Sequence, residues 1–480
     1  MPLRLRAPTR NGEVLAEPHF DRVPELVERN RAILNRAEFP IDGTALFELR
    51  KLARRELQLA GAEPLLIGGH QPELSHPGVW AKNFALNGLA RKLGGTPLHL
   101  IANSDTPKSA AIKVPVFEPG DPLSVSVESV PFDTLAEAPA YEEYSLSNSA
   151  LFASFPERLQ KLCADWLYRP LALDLWPRLD ERRTVEFHFT TMRVEREQEW
   201  GCRNIEQPVS SISGLESFRR FVKHIVADLP RFRDAYNGAI REYRRVNRIR
   251  SRTHPAPELE ANEAPFWVLT DRGRRKLSLR DGEPLPEQIR PRALTLTLFA
   301  RLLIGDFFLH GIGGGKYDEV TDAIIRNYFG IEPPAYQVVS ATLHLPLPGF
   351  PSTDADLASA RRRVRDLQWN PQRNVVPPSS DDRFVLRLVA DRETLAASEP
   401  PLLDRAARRK WYRKLADLNE QLRHHVWKQV PPAKANLARV EAEVRANAVL
   451  RSRDYSWVLF PEEPLKPFLQ QFLDVCDAAS

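Results

Sequence analysis

Cysteine is scarce in this 480-residue chain, with Cys163, Cys202 and Cys476 far apart and in no metal-type spacing. That excludes an all-paired disulfide framework and points to a reducing compartment, with the cytoplasm as the expected location. Long apolar runs are missing too. The first ten residues hold no signal core, and the most apolar stretch, Leu294 to Leu309, is interrupted by Arg301 and Asp306, so neither export nor membrane insertion is indicated. Charge of one sign is lacking as well. Sixty-eight basic against 63 acidic residues leave a formal +5, a slight excess that disfavours nucleic acid as a partner. There is no internal repeat and no low-complexity tract. Proline is plentiful, with 41 residues, so many connections are stiff. An apolar fraction of 42% permits a proper core spread over two or three domains, or one domain with large insertions.

The chain is organised around residues 65 to 102. An apolar run, Leu65-Leu66-Ile67, is expected to turn at Gly68-Gly69 and to place His70, Gln71, Glu73 and His76 in a polar loop. A helix follows from Pro77, with Val79, Trp80, Phe84, Leu86, Leu89 and Leu93 near 3.6-residue spacing, and then a second apolar run, Leu98 to Ala102. This predicts a βαβ unit with parallel strands, whose ligands gather at the carboxyl ends, at His70-Gln71 and at Asn103-Ser104-Asp105. His70 and His76 are six apart on an irregular loop with no cysteine partner, so zinc is disfavoured and no metal site is expected.

A second feature is Gly311-Ile312-Gly313-Gly314-Gly315-Lys316, read as a loop ahead of a helix from Asp318 to Phe329. Its backbone N–H groups could converge on an anion, or its glycines could allow tight helix packing. The pattern is not a Walker A loop, because His310 stands at the first glycine position and Tyr317 replaces Ser/Thr. Elsewhere, helices are expected at 21–37 and 44–59, a half-buried strand around Val125 and Val127, and a hairpin from Glu258 to Asp281 that turns at Asp271-Arg272-Gly273. A strand is expected from Tyr336 to Leu345. Ser217 to Arg252 is helical and dense in arginine, either a solvated face or a phosphate-contacting one. Trp411, Leu415, Leu418, Leu422 and Val426 step in heptad fashion, Pro431-Pro432 breaks the chain, and Leu437, Val440 and Val444 resume, which reads as a helical hairpin.

The expected fold is therefore α/β, a Rossmann-like parallel sheet core with inserted connecting segments and a C-terminal helical, coiled-coil-like element. The expected divisions are 1–134 (helices and first half of the core), 135–210 (insertion), 211–350 (helical segment, hairpin and second half) and 351–480 (helical hairpin and tail).

Four pieces together resemble the bacillithiol biosynthesis cysteine-adding enzyme family, BshC. They are Gly68-Gly69-His70-Gln71-Pro72 with its helix, the hairpin Phe266 to Leu279, the run from Arg290-Pro291-Arg292 through Gly313-Gly314-Gly315 to Ser340-Ala341-Thr342-Leu343, and the tail around Trp457 to Pro464. The resemblance implies a ligase that joins an amino-acid carboxylate to the amine of a sugar-type acceptor, with ATP and Mg2+ as cofactors and the C-terminal helices pairing two copies. Where family members carry an acidic and histidine-containing motif after the second core strand, this chain has Ser104, Asp105 and Thr106, so only Asp105 matches and the substrate is expected to differ.

On that reading the catalytic set is His70, Gln71 and Asp105, with His70 or His76 as base and Asp105 orienting an amine or magnesium. Lys82, Lys108, Lys316 and the Gly313–Gly315 backbone would neutralise phosphate, and Arg290 and Arg292 would bind a carboxylate or pin the helix they precede. Gly68, Gly69, Asn83, Asn103 and His310 complete the expected binding set. The competing reading is a non-catalytic or nucleic-acid-binding Rossmann-like protein that uses the arginines of 217–252.

Overall fold

The computed structural model describes residues 5–59, 61, 63–135, 139–270, 273–280, 283–375 and 383–474. Cys476 and the Asp271-Arg272 turn lie outside the described residues. The chain makes two compact units, one of Met1–Val114, Glu128–Pro346 and Arg453–Ser480, the other of Pro115–Val127 and Leu347–Ser452. The tail expected with the C-terminal helices thus belongs to the first unit, where the Trp457 ring packs 4.4 Å from Trp80 and the Trp457 backbone N–H donates to the Ser75 carbonyl.

The first unit is built on a six-stranded sheet. In chain order its strands are β1 (Val14–Glu17), β2 (Leu65–His70), β3 (Thr96–Ile101), β4 (Ile205–Pro208), β5 (Phe307–His310) and β6 (Tyr336–Ala341). Across the sheet they run β1-β6-β5-β2-β3-β4. All neighbours are parallel except β1, an antiparallel edge with Val14 opposite Ala341. The chain therefore steps outward from β2 through β3 to β4, then crosses to β5 on the other side of β2. That reversal is a topological switch point, where parallel sheets leave a crevice at their carboxyl ends.

Helices α1 (Val23–Arg36), α2 (Leu46–Glu56), α3 (Pro77–Lys92), α4 (Val185–Glu199), α5 (Glu216–Ala227), α6 (Leu229–Val246) and α7 (Ile312–Ile324) surround it. Leu65 and Ile67 of β2 and Leu98 and Leu100 of β3 share one sheet face by strand alternation, and with Phe218, Phe221, Phe232 and Phe299 they form one continuous core. Each such side chain contributes roughly 1.5–3 kcal/mol by leaving water. The hairpin is Glu263–Thr270 against Gly273–Ser278, with Ile289–Pro291 as a third strand. Ser126–Pro131 pairs with Ala111–Val116.

Two local expectations differ from the structure. Gly68 and Gly69 do not turn but extend β2, because a Cβ on Gly69 would stand 2.8 Å from the Leu100 carbonyl oxygen of the neighbouring strand. Gly313, Gly314 and Gly315 are not a loop but the first turn of α7, which begins six residues earlier than expected.

The second unit is mostly helical, with Asp354–Trp369, Arg383–Ala397, Arg405–Val426 and Val430–Leu450. Leu422 and Val426 are buried on the heptad stripe. Pro431-Pro432 starts the last helix rather than separating two from a distance, since the first turn has no use for the missing N–H.

Candidate functional site at the sheet switch point

The switch point brings together the end of β2, the end of β5 and the start of α7. After His310 the chain passes Gly311 straight into α7, where Gly315 N–H closes on the Gly311 carbonyl. The N–H groups before it have no intrahelical acceptor, and among the described residues no side chain caps them and no acid lies in the first turn. The glycines have separate reasons. A Cβ on Gly315 would sit 2.3 Å from Val338 Cγ2 and one on Gly314 would sit 2.8 Å from His310 Nδ1, while Gly313 faces open space.

Beside this helix end lies Lys82 from α3, only 5% exposed. Its Nζ donates to the Gly69 carbonyl at 3.2 Å and would stand 3.8 Å from a Cβ at Gly311. Burial alone moves its pKa from 10.5 to about 8, with no charged partner contributing. A buried ammonium next to the positive end of a helix dipole is a like-signed pair, unfavourable until an anion arrives between them.

His70 ends β2 half-buried. Its Nδ1 lies 3.1 Å from the Gln71 carbonyl, which can only accept, so the neutral ring carries its proton on Nδ1 and leaves Nε2 as an acceptor. Burial first, then the charge of Lys82, pushes its pKa down to about 3. His76 caps α3 instead, its Nδ1 accepting from Gly78 N–H at 3.1 Å, and burial followed by the Arg453 charge pushes it down to about 4. His70 and His76 also face a cavity of about 420 Å3 shared with Glu73, Lys108 and Tyr141. Burial raises the Glu73 carboxyl, Lys108 opposes it, and the Tyr141 hydroxyl donates to it at 3.3 Å. Neither Asp105 nor the α7 glycines line this cavity.

Asp105 is committed. It accepts from Gln71 Nε2 at 2.9 Å, Arg274 Nη1 at 3.0 Å and Thr106 N–H at 2.9 Å. These bonds fix the two strand-end loops to each other, with Arg274 resting 4.4 Å from the Trp267 ring centroid. Other expected binding residues also have internal partners. Asn103 joins Glu186 and Ser210, Asn83 donates to Glu197 at 2.7 Å, Arg290 grips Glu142, and buried Arg292 grips Glu263 at 2.6 Å. Both arginines thus hold carboxylates of the chain itself. His310 donates through Nε2–H to Asp318 at 2.8 Å, and Asp318 also takes Arg301 at 2.7 Å. Burial pushes Asp318 up, but Arg301 and His310 outweigh it and hold the carboxyl below its usual range. Lys316 is exposed at the first turn of α7.

Sequence reasoning missed Glu73 and Tyr141 as cavity walls, Arg274 as the Asp105 partner, and Asp318 as the partner of His310. Only the last has a local signal, an acid eight residues after the histidine. Among the described residues no group of three or more His, Cys, Asp and Glu is placed to hold a metal, and no helix is long and apolar enough to cross a membrane. Several arginines of α5 and α6 are paired: Arg241 and Arg244 with Glu258, Arg245 with Glu242, Arg231 with Asp228, and Arg220 with Glu216. No protein-family model matches this chain, and no curated protein matches it.

Proposed function

We propose that this chain is an ATP-using ligase of the cysteine-adding type, joining an amino-acid carboxylate to the amine of a sugar-type acceptor. One observation carries the reading: a buried lysine without an acid, set against an uncapped helix start at the switch point of a parallel sheet. Phosphate is the common anion that this combination suits. The resemblance of four separated segments to the BshC family supplies the reaction class.

Bound ATP supplies the leaving group that turns a carboxylate into an acylating agent. Lys82 and the N–H groups of Ile312, Gly313 and Gly314 hold the phosphate charge. The neighbouring cavity takes the amine-bearing substrate, with Glu73 and Lys108 in its walls. His70 lines that cavity, and its Nε2 is left as a neutral acceptor. Although a weak base, it suffices for a proton that becomes strongly acidic once nitrogen has bonded to the acyl carbon. Gln71 and Asp105 position the loop that carries His70. Magnesium would arrive on the phosphates and keep its waters, since Asp105 is occupied.

The same reading places the chain in the cytoplasm and pairs two copies through the C-terminal helices. The nucleic-acid alternative is less favoured, because several of the arginines it would use, among them Arg241, Arg244 and Arg245, already hold acids. The test is turnover: incubation with ATP, Mg2+, cysteine and a panel of amino sugars and their acid conjugates, with mass spectrometry for an amide product. A product formed only with ATP, and lost in Lys82→Met, supports the proposal. ATP left intact with every amine and carboxylate offered would overturn it.

A further inference from the structure

In the cavity beyond β2, Glu73 is a half-buried acid on a rigid piece of chain. Its N–H donates to the Gln71 carbonyl at 2.8 Å, and Ser75 N–H donates to the Glu73 carbonyl at 2.9 Å. On the side chain, Oε1 accepts from the Tyr141 hydroxyl at 3.3 Å, while among the described residues Oε2 takes part in no hydrogen bond or ion pair. Tyr141 is itself pinned. It is 4% exposed, its N–H donates to the Asp105 carbonyl at 2.9 Å, and Glu142 N–H donates to the Asn103 carbonyl at 2.9 Å. A carboxylate offers about four acceptor positions, so this one is held in place with most of them unused by the chain.

The other charged groups of the cavity leave it without a close cation. Burial holds His70 down to about 3 and His76 down to about 4, so both are uncharged at neutral pH. Lys108, Lys113 and Asp454 are exposed, where water and salt screen them. Lys108 pulls the Glu73 carboxyl down from that distance, but burial outweighs it and the carboxyl ends above its usual range. A partly dehydrated acid with no cation in contact gains most from a cationic ligand. Phe132, Tyr144 and Phe189, all buried, give the same cavity an aromatic wall. Apolar walls with a few fixed polar groups are how small-molecule pockets orient what they bind.

We propose that Glu73 selects the acceptor, binding a primary ammonium carried on a compact saturated ring that lies against the aromatic wall. It does so within the acceptor cavity of the ligase reading, on which the assignment rests. An ammonium cannot attack a carbonyl carbon until it sheds a proton. Held against Glu73, the nitrogen passes one proton to the carboxylate, leaving a neutral amine and a carboxylic acid; once the C–N bond has formed, the nitrogen gives its second proton to His70 Nε2.

The experiment is ligand-observed NMR titration of the full chain, at pH 7 and without nucleotide, with glucosamine, glucose and N-acetylglucosamine. Only the first carries an ammonium. It should bind at least tenfold more tightly than either neutral sugar, and that preference should vanish in Glu73→Gln, whose amide oxygen still accepts from Tyr141 and whose folding is checked by its melting temperature. A preference that depends on Glu73 supports the assignment whether or not the chain binds Mg·ATP, whose failure to bind overturns only the ligase reading. Equal affinity for the three sugars in wild type, no binding of glucosamine, or a preference that survives in Glu73→Gln would overturn the proposal.

Discussion

Replacing Lys82 by methionine should make the protein more stable while removing its anion affinity. Lys82 is buried, and burial lowers its pKa from 10.5 to about 8. Each pKa unit corresponds to about 1.4 kcal/mol, so holding the charged form inside the fold costs about 3 kcal/mol well below pH 8. Methionine keeps the length of the chain without the charge. It forfeits one hydrogen bond, to the Gly69 carbonyl at 3.2 Å, worth about 1 kcal/mol, which leaves a net gain near 2 kcal/mol at pH 7.

The sign against pH follows from the order of the two pKa values. Between about 8 and 10.5 the unfolded chain binds the extra proton, so wild-type stability rises with pH across that window and the advantage of Lys82→Met closes. The assay is urea unfolding of both proteins, followed by circular dichroism at pH 7 and at pH 10.5, in a buffer free of phosphate and sulfate. A variant no more stable than wild type at pH 7, or a difference that does not shrink at high pH, would refute the reasoning.

Three further outcomes are expected. His76 has a folded pKa of about 4, below its ordinary 6.5, so the unfolded chain takes the extra proton and wild-type stability is lost as pH falls below 6.5; His76→Asn, which keeps a side-chain acceptor for the Gly78 N–H, should flatten that acid limb in thermal melts. Asp318→Ala removes one of the two acids that hold buried Arg301 and the partner of His310, and should cost about 3–5 kcal/mol, read from the urea midpoint. Gly315→Ala forces a methyl to 2.3 Å from Val338 and should cost about 1–3 kcal/mol, whereas Gly313→Ala meets nothing and should be neutral or stabilising by up to about 1 kcal/mol, a contrast visible in melting temperatures.

The strand–helix–strand unit from Leu65 to Ile101 was readable because its apolar pattern changes period and its helix has a clear start at His76-Pro77. The hairpin from Glu263 to Ser278 was readable from its strand-forming residues. Edge strands were not. Ile205–Pro208 reads Ile-Glu-Gln-Pro and becomes a strand only because β3 offers it a parallel partner, and Val14–Glu17 depends on β6 in the same way. The glycine run was misread as a loop because glycine disfavours helices, while the cause of its placement, Val338 and the His310 ring, is settled by packing. Site roles were harder still. Arg290 and Arg292 suit a carboxylate in any reading, but that the carboxylates are Glu142, 148 positions away, and Glu263 appears only once the chain has folded. Asp105 finds Arg274 across 169 positions, beyond any local pattern.

The account rests on the carboxyl-end crevice between β2 and β5 as a phosphate site. The direct measurement is equilibrium binding of Mg·ATP by calorimetry to the wild-type chain and to Lys82→Met. The account predicts saturable binding to wild type at one crevice and a loss of at least tenfold in the variant. Equal affinity in both proteins, or no binding to wild type, would contradict it.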